Sequence, residues 1–115
     1  MIGRIGSRDD FRRLSRAGRR VRIDPLWCSY LLDAQLDRPH VAFAIGRQVG
    51  VAVKRNRLRR RLRASLTSAD LPPGLFLFGA RPGSTELTFD EISARVRLVE
   101  RRMADRHAPA GSVTA

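Results

Sequence analysis

Between residues 54 and 63, seven of ten side chains are basic: Lys54, Arg55, Arg57, Arg59, Arg60, Arg61 and Arg63. No acid lies between Asp37 and Asp70 to neutralise them. The chemistry open to such a run is polyanion binding, because guanidinium groups grip phosphate bidentately and stack on bases. The run is also ordered. Turned at ~100° per residue, Val51, Leu58, Leu62 and Leu66 share one arc of roughly 80°, a face able to dock on a core. Asn56, Arg59, Arg60 and Arg63 share a second arc, and Lys54, Arg57 and Arg61 a third. Like charges three or four residues apart on a helix repel, and Arg55/Arg59, Arg57/Arg61 and Arg59/Arg63 all stand so. A merely solvated helix face interleaves Glu with its bases; this one has no Glu. A bound nucleic acid would relieve the repulsion.

Hydrolytic chemistry is harder to find. The adjacent acids, Asp9-Asp10 and Asp90-Glu91, fit helix-start electrostatics and capping. No His stands near a Ser or Cys in a nucleophile arrangement, and no clustered carboxylates suggest a two-metal site. Cys28 is the only cysteine, which excludes an internal disulfide framework, and His40 and His107 are too far apart in sequence to suggest a metal cluster.

The whole chain of 115 residues carries a net charge of +12, and Lys54 is the only lysine among its 23 basic residues. Such a charge implies a polyanionic partner, and the lack of a long apolar run favours nucleic acid over membrane. With no signal-peptide apolar region at the N-terminus, a cytoplasmic location is expected. The length suits one domain with a modest core, expected over residues 1–106, before a disordered tail at 107–115.

The elements that must position the basic helix follow from pattern. Ser7, with Asp10 three residues on, has capping-box spacing and predicts a helix from residue 8 to about 17, stopped by Gly18. Its apolar points are only Phe11 and Leu14, so Phe11 either packs the core or stands in a functional position. Residues 25–32 read as a strand, with Leu26, Cys28, Tyr30 and Leu32 on one face and Trp27, Ser29 and Leu31 on the other. The alternation assigns Tyr30 to the core. Residues 40–46 form a second strand, expected antiparallel to the first, and residues 21–23 are a candidate edge strand. The basic helix should end near Ser68, before the breaker run Asp70-Leu71-Pro72-Pro73-Gly74. Leu75-Phe76-Leu77-Phe78 suits a central strand buried on both faces. Thr88 and Glu91 form a capping box, with Leu87 and Ile92 placed as a staple. Phe89, Ile92, Val96, Val99 and Met103 then give the last helix its buried stripe.

These residues carry a resemblance. Val49-Gly50-Val51-Ala52-Val53-Lys54-Arg55-Asn56-Arg57-Leu58-Arg59-Arg60-Arg61-Leu62-Arg63 resembles the signature helix of the bacterial ribonuclease P protein family. That signature is an Arg-Asn-Arg core followed, after one apolar residue, by two basic ones, and preceded by Gly-Asn-Ala-Val. Asp10-Phe11 with Gly18 is similar to the family's first helix, Phe78-Gly79-Ala80-Arg81-Pro82 to its last strand and exit, and residues 87–91 to the start of its final helix. The likeness covers roughly residues 8–103. Val51 stands where the family usually has Asn, Ser15 where it often has an aromatic residue, and Ala64 where an acid is common. Ile45-Gly46-Arg47-Gln48 replaces a Ser-Lys-Lys-like approach.

The fold class expected is α+β: a small mixed sheet of about four strands packed with three helices, in the order α-β-β-β-α-β-α. The resemblance adds a left-handed β-α-β crossover through the basic helix, a topology shared with one domain of a small-subunit ribosomal protein. It also implies a subunit of ribonuclease P whose catalytic site lies on an RNA subunit with its magnesium, the protein alone binding no cofactor. Partners would be that RNA and precursor tRNA, with no membrane and no obligate protein partner. Arg47, Gln48, Lys54, Arg55, Asn56, Arg57, Arg59, Arg60 and Arg63 would contact the catalytic RNA. Phe11, Arg12, Arg16 and Trp27 would hold the 5′ leader, unpaired nucleotides stacking at ~1–3 kcal/mol per base. A non-catalytic ribosomal or nucleoid protein, using the same helix as structural glue, is the alternative.

Overall fold

A computed structural model describes residues 2–106 of the chain; the tail expected at 107–115 lies outside the described residues. The elements are β1 (Gly3–Arg4), α1 (Arg8–Ala17), β2 (Arg19–Ile23), β3 (Leu26–Leu32), β4 (Pro39–Ala44), α2 (Ala52–Ser68), β5 (Gly74–Ala80) and α3 (Phe89–Arg106). They build an α+β fold on one mixed sheet in the order β1-β4-β5-β3-β2. The sheet has five strands, not four, because two-residue β1 joins in parallel beside β4. So short a strand has no period to read.

The apolar run of β5 sits at the centre of the sheet, as its composition requires. Leu75 and Phe76 are fully buried and point to opposite faces. β3 and β4 are not neighbours, although they follow one another in sequence. β5 inserts between them, antiparallel to β3 and parallel to β4, so α2 is the crossover from β4 to β5. The expected opposite directions of β3 and β4 hold, but the pairing partner is a strand that arrives about 30 residues later, which hydrophobic pattern alone does not encode.

The two sheet faces are covered unequally. On one, Cys28, Tyr30, Val41, Phe76 and Phe78 pack against Leu58, Leu62 and Leu66 of α2 and Ile92, Val96, Val99 and Met103 of α3. On the other, Leu75 meets Leu14 of α1 and Ile5, with Leu31, Ala42 and Leu77 alongside. Leu14 is the only buried residue of α1. Arg13 holds the helix from outside, its Nη2 donating to Asp33 Oδ2 at 2.9 Å. That bond, and a second from the Gln35 backbone N–H, keep the Asp33 carboxyl below its usual range.

The helix starts follow capping chemistry. Ser7 Oγ accepts from the Asp10 N–H at 3.0 Å. Thr88 Oγ1 accepts from the Glu91 N–H at 3.1 Å while Glu91 Oε1 accepts from the Thr88 N–H at 2.9 Å, and these bonds lower the Glu91 pKa. Gly18 ends α1, but not through a left-handed conformation: its φ is −71°. Its N–H closes on the Leu14 carbonyl at 2.8 Å, and a Cβ there would lie 2.3 Å from that oxygen.

Two apolar residues leave their expected stripes. Phe89 is 44% exposed at the first turn of α3, before that helix reaches the core. Val51 is 65% exposed, because it is the N-cap of α2 and not part of it. Ser65 takes the fourth buried position, its hydroxyl 3.3 Å from that of Ser93 where α2 meets α3. Valine cannot cap, and α2 begins without a side-chain cap bond. Val51→Asn should therefore stabilise the protein by about 1 kcal/mol, the usual worth of an N-cap. The denaturation midpoint should rise with unchanged slope; an unmoved or lower midpoint would show the cap position is not what limits α2.

Candidate nucleic-acid interfaces

Leu58, Leu62 and Leu66 dock α2 and so fix where each of its basic side chains goes. On one flank Arg57 Nη2 donates to the Thr85 carbonyl at 3.4 Å and Arg61 Nη1 to the Leu87 carbonyl at 2.9 Å. These two tie the helix to a 3-10 turn at Ser84–Glu86. Lys54 Nζ stands 3.9 Å from Glu86 Oε1. Towards the N-terminal end, Arg55 Nε donates to the Gly50 carbonyl at 3.1 Å. Asn56 Oδ1 accepts from Arg59 Nη1 at 2.8 Å, and Arg59 Nη2 reaches the Ile45 carbonyl at 3.3 Å. Arg63 lies over the Phe43 ring at 5.4 Å, and Arg60 is exposed with no partner among the described residues.

The acceptors decide the electrostatics. Apart from Lys54, every partner named for the α2 cations is a neutral carbonyl, amide or ring. Arg55, Arg57, Arg59, Arg61 and Arg63 are thus held in place while keeping their full charge, and Arg60 stands free beside them. Asn56, Arg59, Arg60 and Arg63 form a positive surface with no carboxylate, Arg59 and Arg63 anchored and Arg60 free to reach a phosphate. Arg57 is drawn to the flank with Arg61. Arg47 is exposed on the 3-10 turn Arg47–Val49 that leads into α2.

A second site lies on the other sheet face, where α1 is too short to cover the strands. Register sets its rows: Arg22, Trp27, Gly79 and Ala44 stand side by side, then Arg20, Ser29, Leu77 and Ala42. The floor is made of small residues. Trp27 lies so close over Gly79 that a Cβ there would come within 1.9 Å of the indole. The Arg20 guanidinium covers the other side of the indole at 4.2 Å from its centroid. Phe11, 40% exposed, lines a cavity of about 340 Å³ with Leu14, Ser15, Gly18, Arg20, Ser29 and Leu77. Trp27 lines a neighbouring one of about 500 Å³ with Ala44, Gly46, Gln48, Arg81 and Pro82. Both volumes fall within the ~300–1,000 Å³ of ligand clefts. An exposed Phe11 ring and a half-buried Trp27 on one sheet face, with guanidinium groups beside them, suit unpaired bases.

Phe11 and Trp27 thus line adjacent cavities on one sheet face, linked by Arg20 into a cleft, and Gln48 lines the Trp27 cavity. Arg12 and Arg16 do not line the cleft; they stand on the outer side of α1, where Arg12 Nη1 is 3.6 Å from Asp9 Oδ1. Arg20 was missed. Its signal was present, since strand alternation opposite the buried Val21 and Ile23 puts Arg20 and Arg22 on the Trp27 side. Ser15 lines the cleft as a small residue. Cys28 is wholly buried, and desolvation pushes its thiol pKa far up, which removes it as a nucleophile.

Comparison with known proteins finds chains similar to this one. The family model described as Ribonuclease P matches residues 3–104. The ribonuclease P protein component of Pelotomaculum thermopropionicum is 35% identical over 101 residues, covering 84% of this chain and 89% of its own length. That of Acidothermus cellulolyticus is 36% identical over 96 residues, covering 79% of each. In fold, the chain is similar to the ribonuclease P protein of Staphylococcus aureus, with a TM-score of 0.75 at 20% identity over 87% of this chain and 94% of that one.

Gly79→Ala tests the cleft floor. The added methyl should push the indole off β5, shift the emission of the lone tryptophan to the red, and cost about 1–3 kcal/mol through overpacking. Fluorescence and a melting curve read both; unchanged emission would mean that Trp27 does not rest on Gly79.

Proposed function

This chain belongs to the ribonuclease P protein family, and on that premise we propose that it binds two RNAs at once: a catalytic RNA through α2, and the 5′ leader of precursor tRNA through the cleft. The observation carrying this reading is the placement of the two surfaces on opposite faces of one sheet. α2 packs beneath it and the Phe11–Trp27 cleft opens above it, so neither ligand need displace the other. The segment joining them runs from Gln48 in the cleft to Asn56 and Arg59 on the helix. A general nucleic-acid glue would need only the charged face. The aromatic cleft adds a place for unpaired nucleotides.

The cut itself is assigned to the RNA subunit. In support, several acids of this chain are already engaged: Asp10 and Asp33 with Arg13, Asp37 with Arg38, Glu86 with Lys54, and Glu91 in its cap. Among the described residues no group of three or more His, Cys, Asp or Glu is placed to hold a metal ion. No helix among them is long and apolar enough to cross a membrane.

Reconstitution is the decisive experiment. Repurified protein with magnesium should not cut precursor tRNA, and site-specific cutting should appear when the RNA subunit is added. In that system Arg60→Ala should lower the log–log salt slope of RNA-subunit binding by about one unit and leave the melt unchanged. Arg61→Ala should instead cost about 1 kcal/mol of stability by freeing the Leu87 carbonyl. Site-specific cutting by protein alone would overturn the assignment of chemistry; binding without any cutting would favour a structural RNA-binding protein.

Phe11→Ala separates cleft from core. The variant should fold, assemble with the RNA subunit, and lose ~1–3 kcal/mol in binding precursor, the stacking of about one base. Affinity for mature tRNA, which lacks the leader, should not change. Equal losses for both ligands would remove Phe11 from the leader site.

A further inference from the structure

Among the described residues β2 is an edge of the sheet, paired only with β3. Edge strands expose unpaired carbonyls at alternate residues, a hazard that proteins cover. Here three arginines from α3 cover them. Arg106 Nη1 donates to the Arg20 carbonyl at 3.3 Å, Arg102 Nη1 to the Arg22 carbonyl at 2.6 Å, and Arg95 Nε to the Asp24 carbonyl just past the strand at 3.1 Å. Their spacing along α3 puts all three on the flank facing β2.

The result is more than a shield. The acceptors are two residues apart, so the guanidinium groups stand along the edge at intervals of about 7 Å. That is of the order of the step between successive phosphates in an RNA strand. Each arginine spends one or two of its five N–H donors on neutral carbonyls and keeps its charge. None of the three makes an ion pair with an acid among the described residues. The acids nearby are Glu91, one turn before Arg95, together with Asp24 and Asp105.

The ladder is continuous with the cleft. Arg20, whose carbonyl takes Arg106, lays its own side chain over Trp27 and lines the Phe11 cavity. Arg22, whose carbonyl takes Arg102, stands beside Trp27 in register and is exposed. A strand leaving the cleft on this side must cross both.

We propose that the α3 arginine ladder is a phosphate track for the leader, holding the nucleotides that lie beyond those seated at Phe11 and Trp27. This rests on the leader-binding reading of the cleft. The partner is therefore a single-stranded RNA segment, bound by charge and spacing without regard to base.

The test compares Arg102→Ala/Arg106→Ala with the parent protein, each reconstituted with the RNA subunit. Substrates are precursors with leaders of about 4 and about 12 nucleotides, towards either end of the ~4–16 nucleotides that small single-strand-binding folds span. For the long leader, affinity should fall on the order of tenfold at low salt, and the log–log salt slope should drop by about 1.4, at ~0.7 per phosphate of a single strand. The short leader is the internal reference, and Arg102→Lys/Arg106→Lys should restore much of the loss. Equal losses for both leaders, or weaker RNA-subunit binding, would assign the ladder to the catalytic RNA and overturn the proposal. Unchanged affinities with a lowered melt would leave only an edge shield. Failure of the cleft reading looks different: Phe11→Ala would then not distinguish precursor from mature tRNA, whatever the ladder does.

Discussion

Burial of β5 on both faces is the constraint on which the rest of the molecule depends. Leu75 and Phe76 are both fully buried yet point opposite ways, so each face of the sheet needs a covering layer. α2 and α3 together cover one face along its length. α1 has ten residues and one buried side chain, and covers the other only where Leu75 and Leu31 lie. The remaining rows must be stable without a lid. They achieve this with little apolar surface: Gly79, Ala44, Ala42 and Ser29 make up much of the floor, and the Trp27 indole is packed against Gly79 with Arg20 over it. The cleft is thus the shortfall of α1, built into the packing.

Charge is handled by a consistent device. A net charge of +12 works against compaction. Internal ion pairs could relieve it, but at α2 and at the β2 edge guanidinium groups bond mainly to backbone carbonyls. A carbonyl fixes the direction of an arginine without cancelling its charge. The same bonds satisfy exposed polar backbone at the 84–87 turn, at the exit of β4 and along an edge strand. Structural anchoring and readiness for a polyanion are therefore two results of one contact, and the repulsion that remains is what bound phosphate would remove.

The sheet's two helical supports also divide the labour of the basic run. Helical angle already sets the seven cations on different arcs, and the docked leucines fix which surroundings each arc meets. Arg57 and Arg61 turn to the Ser84–Glu86 segment and stitch α2 to the loop before α3. Arg59, Arg60 and Arg63 face away from that stitching.

Much of this was legible in the chain itself, because it depended on neighbours in sequence. The limits of α1, the capping box at Thr88 and Glu91, the central apolar strand, the placing of Tyr30 in the core and Trp27 outside it, and the leucine-docked basic helix all follow from local hydrogen bonding and from periods of two or 3.6 residues. The motif at 49–63 named the family on the same local evidence. Other features needed the tertiary structure. Val51 and Phe89 carry apolar side chains at plausible spacing, yet each sits where its helix has not reached the core, so period alone misplaces them. That β5 separates β3 from β4, that Gln48 lines the Trp27 cavity, and that α3 arginines line the β2 edge are long-range facts. They are set by which distant strands pair and which faces meet, and no local period in a single chain encodes that choice.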